Sequence, residues 1–370
     1  MTSQRRIFLK RNNPFITLKQ FSNVSNPSSM HGLYPYRGKI SALDAQFIIN
    51  QLPMKGTLLD PFCGSGTIVY EAQKHGLKSF GVDSNPLAVQ IAKAKTYTGS
   101  IDVITEGKRI IAMSKEDLAS HNYEAMSEEP LKSFHHDTAD EIMTVKNYFN
   151  EMNEYLQGAF YGSIALAARG CNNYKWTSTT VGKNIEPKTY INFYDKFLKK
   201  IRKHSKYLID QTFEDSVIIQ ADSRKLSDFI EPNSIDYVFT SPPYFDGLDY
   251  TSYYGKLIYE IFKVDREEIK HQLIQHIKSY EDDMRIILKE LDIVTKDDSL
   301  IIFVVGDKKI KGNIINGGEY FNKIKKASYI LERSYSKSSS QLFDTLNNTS
   351  RKEQIVIWDK QNGELQQYGY

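Results

Sequence analysis

The residues of this 370-residue chain best suited to chemistry fall in two short runs, Asp60-Pro-Phe-Cys-Gly-Ser-Gly66 and Ser241-Pro-Pro-Tyr244. Each follows a stretch with the character of a strand. In the first run the glycines allow a sharp turn and a close approach of main chain to a ligand. A carboxylate stands ahead of the turn and no Gly-Lys-Ser/Thr follows, so it is a poor phosphate loop. An acid beside a glycine turn suits a cation instead, such as a sulfonium or an amino group. Asp83 lies 17 residues after Gly66 at the end of the next strand. That place suits a carboxylate bridging the two hydroxyls of a ribose. The plainer alternative is a strand–helix turn with Asp83 as an N-cap, and acids at two successive strand ends weigh against it.

The second run follows the strand Ile235–Thr240. Two prolines cannot continue a ladder, so Ser241, Pro242 and Pro243 form a rigid turn at the carboxyl edge, where open α/β sheets bind ligands. An exocyclic amine on a nucleobase is a weak nucleophile because its lone pair is conjugated with the ring. Acceptors fixed around its hydrogens, the Ser241 hydroxyl and the Pro242 carbonyl, favour a more tetrahedral nitrogen. Tyr244 is then placed to stack on a base turned out of its helix. The alternative is a proline turn capping a strand, with Tyr244 in the core.

These turns need a frame. Apolar spacing predicts a helix over Ser41–Leu52, a strand Thr57–Leu59 running into Asp60, a helix Thr67–Lys74, and a strand Lys78–Val82 ending at Asp83. Asn85-Pro86 starts another helix, through about Lys95. This βαβα rhythm belongs to a parallel sheet wrapped by helices. It stops between roughly 100 and 213, where the pattern is mostly helical. It resumes with strands Ser216–Ala221, Ile235–Thr240 and Leu300–Val305, and with helices near Tyr253–Phe262 and Tyr280–Lys296. Two last strands, near Ala327–Ser334 and Gln354–Trp358, suit an antiparallel edge. The reading is an α/β domain of residues 30–99 and 214–370, interrupted by an insertion at 100–213 and preceded by an arm of residues 1–29.

Composition narrows the class without deciding it. The chain is 40% hydrophobic and 25% charged, with a net charge of +3. Two cysteines, Cys63 and Cys171, exclude a disulfide scaffold and a four-cysteine zinc site, and no metal is expected. Neither is paired with a histidine as a thiol nucleophile would be. No signal-like N-terminus is present and no apolar run approaches the roughly 20 residues of a membrane span, so a reduced, soluble, cytoplasmic protein is expected.

The mild total hides an asymmetry. Residues 169–206 carry ten basic side chains against Glu186 and Asp195, with interleaved aromatics, whereas 106–154 is acidic. Arg169, Lys175, Lys183, Lys188, Lys199, Lys200, Arg202 and Lys203 are candidates to contact DNA, the lysines at phosphates and Arg169, Asn172, Asn173 and Lys175 at base edges. A solvated helix face explains 196–206 equally simply.

Asp60 to Thr67 resembles the first motif of amino-methyltransferases that use S-adenosylmethionine, and Ser-Pro-Pro-Tyr is similar to the tetrad of DNA N4-cytosine and N6-adenine methyltransferases. The resemblance spans roughly 30–97 and 215–358. It implies a doubly wound, mixed seven-stranded sheet of the class I methyltransferase (Rossmann-like) type. It implies that main chain around Phe62, Gly64 and Gly66 holds the amino-acid end of the cofactor, with Cys63 packed beside it. Asp83 would bind the ribose and Asp222 the adenine, with Asp60, Thr67, Ser84 and Ser223 completing the site. The run His31–Lys39 resembles the motif that precedes the glycine turn, with Tyr36, Arg37 and Lys39 closing the pocket. Val305-Gly-Asp307 and Arg351-Lys-Glu-Gln354 fit further family positions, and Asp246, Asp249 and Tyr250 line either the base pocket or a surface loop.

What the resemblance implies is site-specific methylation of double-stranded DNA in restriction–modification, with a cognate endonuclease as a candidate partner. Serine in the first tetrad position leans towards cytosine N4, and adenine N6 is the other choice. The insertion, or the loop Lys308–Tyr320, would read the target, although an insertion between the second and third strands departs from the commonest motif orders. One rival is an RNA guanine-N2 methyltransferase, which usually carries Asp-Pro-Pro-Tyr and an N-terminal RNA-binding domain. Protein-glutamine methyltransferases usually carry Asn-Pro-Pro-Tyr. A rival of another class is a non-catalytic nucleic-acid-binding protein that keeps a cofactor pocket.

Overall fold

The structure, a computed structural model, describes residues 29–36, 40–99, 101–118, 122–173, 189–243, 250–252, 254–274, 276, 278–310, 313–333 and 353–360. Its strands are β1 (Thr57–Asp60), β2 (Lys78–Asp83), β3 (Val217–Gln220), β4 (Ile235–Thr240), β5 (Thr295–Gly306), β6 (Lys308–Ile310), β7 (Asn313–Ile315), β8 (Tyr329–Arg333) and β9 (Glu353–Asp359). Among the described residues, seven form one sheet in the order β3-β2-β1-β4-β5-β9-β8, and β6 and β7 form a separate ribbon. β1 to β5 run parallel, and β9 is antiparallel to both β5 and β8. This is the expected doubly wound mixed sheet.

The helices are α1 (Ala42–Ile49), α2 (Thr67–Lys74), α3 (Pro86–Thr96), α4 (Val103–Glu116), α5 (Glu128–Leu131), α6 (His136–Asn147), α7 (Glu154–Cys171), α8 (Phe193–Ser205), α9 (Tyr254–Ile261), α10 (Arg266–Gln272), α11 (Tyr280–Val294) and α12 (Gly317–Ile324). Their starts follow from capping chemistry. Asn85 accepts from the main-chain N–H of Leu87 and Ala88, and Pro86 occupies the first turn of α3, where its missing N–H is no loss. Asn153 and Asn192 cap α7 and α8 in the same way.

Alternate residues of each strand point to opposite faces, and the two faces bury different layers. Leu58, Tyr237, Phe239, Ile302 and Ile357 pack with α1 and α2. Leu59, Val238, Ile301, Phe303 and Val356 pack with α11 and α12. The helices of the insertion make a third layer, and it is not closed on itself. Its core runs from Ile110, Ile142, Phe160 and Phe197 into Leu87, Ile91 and Ala94 of α3, Leu257 and Ile258 of α9, and Met30 and Leu33. Two glycines allow the closest approach. A Cβ on Gly158 would fall on the Ala94 side chain, and one on Gly162 would fall on the Leu33 carbonyl oxygen.

Three elements were not visible in the sequence pattern. α10 buries only Ile269, so its apolar spacing carries little signal. The ribbon β6–β7 and α12 stand where a loop was expected. α11 ends at Val294 rather than Lys296, because Thr295 already opens β5, which is longer than Leu300–Val305. No described helix is long and apolar enough to cross a membrane.

Candidate active site

β1 and β4 are neighbours, so the glycine turn and the proline turn leave the sheet side by side at its carboxyl edge. Between them opens a cleft with about 810 Å³ of space, open to solvent and lined by the predicted residues Tyr36, Asp60, Phe62, Cys63, Gly64, Thr67, Asp83, Ser84, Asp222, Ser223, Ser241 and Pro243.

Asp60 is buried, and its Oδ1 accepts from Thr240 Oγ1 at 2.6 Å and from the Phe62 N–H at 3.1 Å. Burial pushes its carboxyl up to about 7, with Asp83 adding to the rise and both hydrogen bonds opposing it. Asp83 accepts from the Gly64 N–H at 2.9 Å and from the Asn85 N–H at 2.8 Å, so its carboxylate ties the glycine turn to the start of α3. Burial pushes it up to about 6 despite those two bonds. Asn85 in turn accepts a 2.5 Å bond from the Tyr259 hydroxyl.

Gly64 and Gly66 take positive φ values of 49° and 73°. Their duties differ. Gly64 faces the cleft under Tyr36, whose Cε1 would lie 3.6 Å from a Cβ there. Gly66 does not line the cleft, contrary to expectation. Its missing Cβ would lie 2.8 Å from the Ala92 main chain, so it lets the turn pack on α3. Cys63 lines the cleft with its thiol pushed well up, first by burial and then by Asp83 and Asp60, which keeps it protonated.

After β3, Asp222 caps a short 3₁₀ helix, Ser223–Asp228, by accepting from the Arg224 N–H at 2.9 Å. The Arg224 guanidinium grips both Asp222 oxygens and reaches Asp283 at 2.9 Å. Partial burial raises the Asp222 carboxyl, but the bonds from Arg224 hold it below its ordinary value. Ser223 donates to the Pro61 carbonyl, which joins this loop to the glycine turn. Pro242 is buried and does not line the cleft, whereas its neighbours Ser241 and Pro243 do. Tyr244, Asp246, Asp249, Arg37, Lys39 and Arg351 lie outside the described residues. Tyr250 lines the cleft with Leu273 and Ile274, an apolar pair in a polar stretch that sequence reasoning passed over.

The segment Ser29–Tyr36 brings Tyr36 to the cleft and is held by α2 and α8. His31 Nε2 meets Glu71 Oε1 of α2 at 2.7 Å, in a buried pair edged by Tyr70. Lys200 Nζ of α8 donates to the Gly32 carbonyl at 3.2 Å, and His204 Nδ1 donates to the Ser29 carbonyl at 2.9 Å. Lys200 therefore does not stand on the surface where a phosphate contact was expected. Burial, then the nearby Lys203, pushes its ammonium down to about 7. Lys199, Arg202 and Lys203 are exposed on α8, and Arg169 is half-buried in the last turn of α7. Lys175, Lys183 and Lys188 lie outside the described residues. At the far edge, Gln354 donates to Asp307 at 3.0 Å, which unites two of the weaker family positions.

The strand order, the reversed strand β9 and the acids closing β1 and β2 define a class I methyltransferase fold. Residues 38–297 match the D12 class N6 adenine-specific DNA methyltransferase family, more than half of the chain. The chain belongs to this family and is a DNA methyltransferase. Type II methyltransferase M.MjaII of Methanocaldococcus jannaschii is 23% identical, over 78% of this chain and 74% of that protein. Type II methyltransferase M.MvaI of Kocuria varians is 24% identical over 63% of this chain; the match spans 57% of that relative, less than two thirds of its length. Among solved structures, the rRNA methyltransferase aviRa from Streptomyces viridochromogenes shares 14% identity at a TM-score of 0.33, over 88% of this chain and 87% of that one.

Proposed function

We propose that the chain transfers a methyl group from S-adenosylmethionine to the exocyclic amine of a base flipped out of double-stranded DNA, as the modification enzyme of a restriction–modification pair with a cognate endonuclease. The observation that carries this reading is one cleft with two acids, the buried Asp60 and the half-buried Asp83, on one wall and the Ser241–Pro243 turn on the other. Near pH 7 both carboxyls sit close to their own titration, since burial disfavours their charge. A cation beside them reverses that balance, so the donor set fits a sulfonium with an amino-acid end.

When bound, the cofactor supplies a methyl group on a positively charged sulfur. Asp83 still has free lone pairs after accepting from two N–H groups, and these suit the ribose hydroxyls. Asp222 and Ser223 flank the adenine end, and Tyr36 covers the glycine turn and excludes water. Ser241 accepts from the target amine and aims its lone pair, so that positioning does most of the work. The exposed Lys199, Arg202 and Lys203 of α8 take backbone phosphates, and the insertion at 100–213 reads the target sequence.

Serine at the head of the tetrad favours cytosine N4, while the family description favours adenine N6. Nucleoside analysis of DNA carrying a labelled methyl group separates the two products. Transfer is measured on unmethylated DNA and on RNA, with Ser241→Ala and Asp60→Ala as controls. Label in DNA that enters more slowly in both variants is expected, and label in RNA alone overturns the reading.

A further inference from the structure

The proposed reaction needs two loops in register, Asp222–Ser223 after β3 and Ser241–Pro243 after β4. In the sheet, β2 and β1 lie between those strands. With strands about 4.8 Å apart, the two loops start roughly 14 Å from one another. The two strands share no direct ladder, and the intervening strands reach only the roots of the loops, so an element that touches both loops would add to the control of their separation.

The first turn of α11 touches both. Tyr280, only 3% exposed, donates from its hydroxyl to the Pro243 carbonyl at 2.6 Å. Asp283, one turn on and also buried, accepts at 2.9 Å from the same Arg224 guanidinium that grips Asp222. Further along, Glu290 accepts from the Ser227 N–H at 2.7 Å and its hydroxyl at 2.8 Å, so α11 holds the 3₁₀ helix along its length. Tyr280, Asp283, Arg224 and Glu290 do not line the cleft. They act on it through the residues that do.

We propose that Tyr280 and Asp283 are positioning residues, and that α11 is the gauge setting the distance between the cofactor-side acid Asp222 and the proline turn that receives the target base. The inference rests on the amino-methyltransferase reading and extends it to a helix outside the cleft. Its physical basis is the steep penalty on misalignment in group transfer, where a displacement of about 1 Å is costly. The Pro243 carbonyl belongs to the proline turn itself, so fixing it holds that turn against α11.

The test uses the full chain with Tyr280→Phe, Tyr280→Leu and Asp283→Asn. Single-turnover methyl transfer to unmethylated DNA, cofactor affinity by calorimetry and the unfolding midpoint are read for each. Losing one hydrogen bond predicts a roughly three- to tenfold slower transfer in Tyr280→Phe, with cofactor affinity held within about twofold. Asp283→Asn is expected to weaken the cofactor by a similar factor while losing less rate at saturation. A loss confined to Tyr280→Leu means that the ring only fills space, and it overturns the proposal. So does a Tyr280→Phe enzyme that loses rate and cofactor affinity together, or an Asp283→Asn enzyme with unchanged cofactor affinity. A wild type that transfers nothing to DNA overturns the functional reading and this inference with it. An active wild type matched by Tyr280→Phe overturns the inference alone.

Discussion

Thr240 Oγ1 stands 2.6 Å from Asp60 Oδ1, so the last residue of β4 is bonded to the last residue of β1. The turn with the acids and the turn with the prolines are thus fastened at their roots, before either reaches the cleft. The bond favours the Asp60 anion, but desolvation outweighs it and leaves the carboxyl titrating at about 7.

A pH dependence follows for the ligand-free protein. Asp60 and Asp83 hold their protons in the folded state to about 7 and about 6, against 3.8 for a free aspartate. Stability from this source is fully present below that free value and is lost as pH rises through both folded values. The unfolding midpoint is therefore expected to fall between about pH 4 and about pH 7 and to level off above that, and Asp60→Asn should flatten the upper part of that slope. A cationic ligand needs the anions, so its affinity should rise on the order of tenfold from about pH 6 to about pH 8, as calorimetry would read.

Gly162→Ala tests the seat of α7. Helix propensity alone would favour alanine by about 1 kcal/mol. The added methyl falls on the Leu33 carbonyl oxygen, main chain that cannot rotate away. Overpacking should win, with a net loss of about 1–3 kcal/mol in denaturant unfolding. Because Leu33 leads to Tyr36, cofactor affinity should also drop, although α7 does not line the cleft.

Charge removal on α8 separates surface from interior. Lys199→Ala, Arg202→Ala and Lys203→Ala together should lower the slope of log affinity against log salt for DNA by up to about 3, near 0.9 per phosphate contact. Lys200→Met should leave that slope unchanged, since its ammonium is spent on Gly32. Equal slopes in the triple variant and the wild type would remove this face from the DNA site.

Ser241→Ala should slow methyl transfer roughly tenfold, the scale of one lost hydrogen bond, with cofactor affinity unchanged. Steady-state kinetics showing a higher cofactor KM at constant kcat would place the hydroxyl on the cofactor instead.

The sheet and its cleft were readable because strand ends, glycine turns and prolines obey local rules. Thr67–Lys74 and Ile235–Thr240 form as expected, to the residue. Phe62, Gly64, Asp83 and Asp222 reach one cleft because each sits at the carboxyl end of a parallel strand, which is a topological consequence. What could not be read depended on partners distant in the chain. Lys200 looks like any lysine of a basic helix, and only the carbonyl of Gly32, from a segment 168 residues earlier, turns it inward. Gly66 matches the motif, and its missing Cβ is what lets the turn pack on Ala92. Leu273 and Ile274 follow a short helix whose pattern was too weak to place them.

The helical insertion leaves the sheet domain after α3 and returns at β3, the outermost strand on that side, so no strand is threaded past another. Topologically it could be lifted out as a cassette. Its packing forbids so simple a graft. α7 rests on Ala94 and Leu33 through glycines, and α8 holds the carbonyls of Ser29 and Gly32. A working chimera must carry the matching α3 surface and the Ser29–Tyr36 segment as passengers.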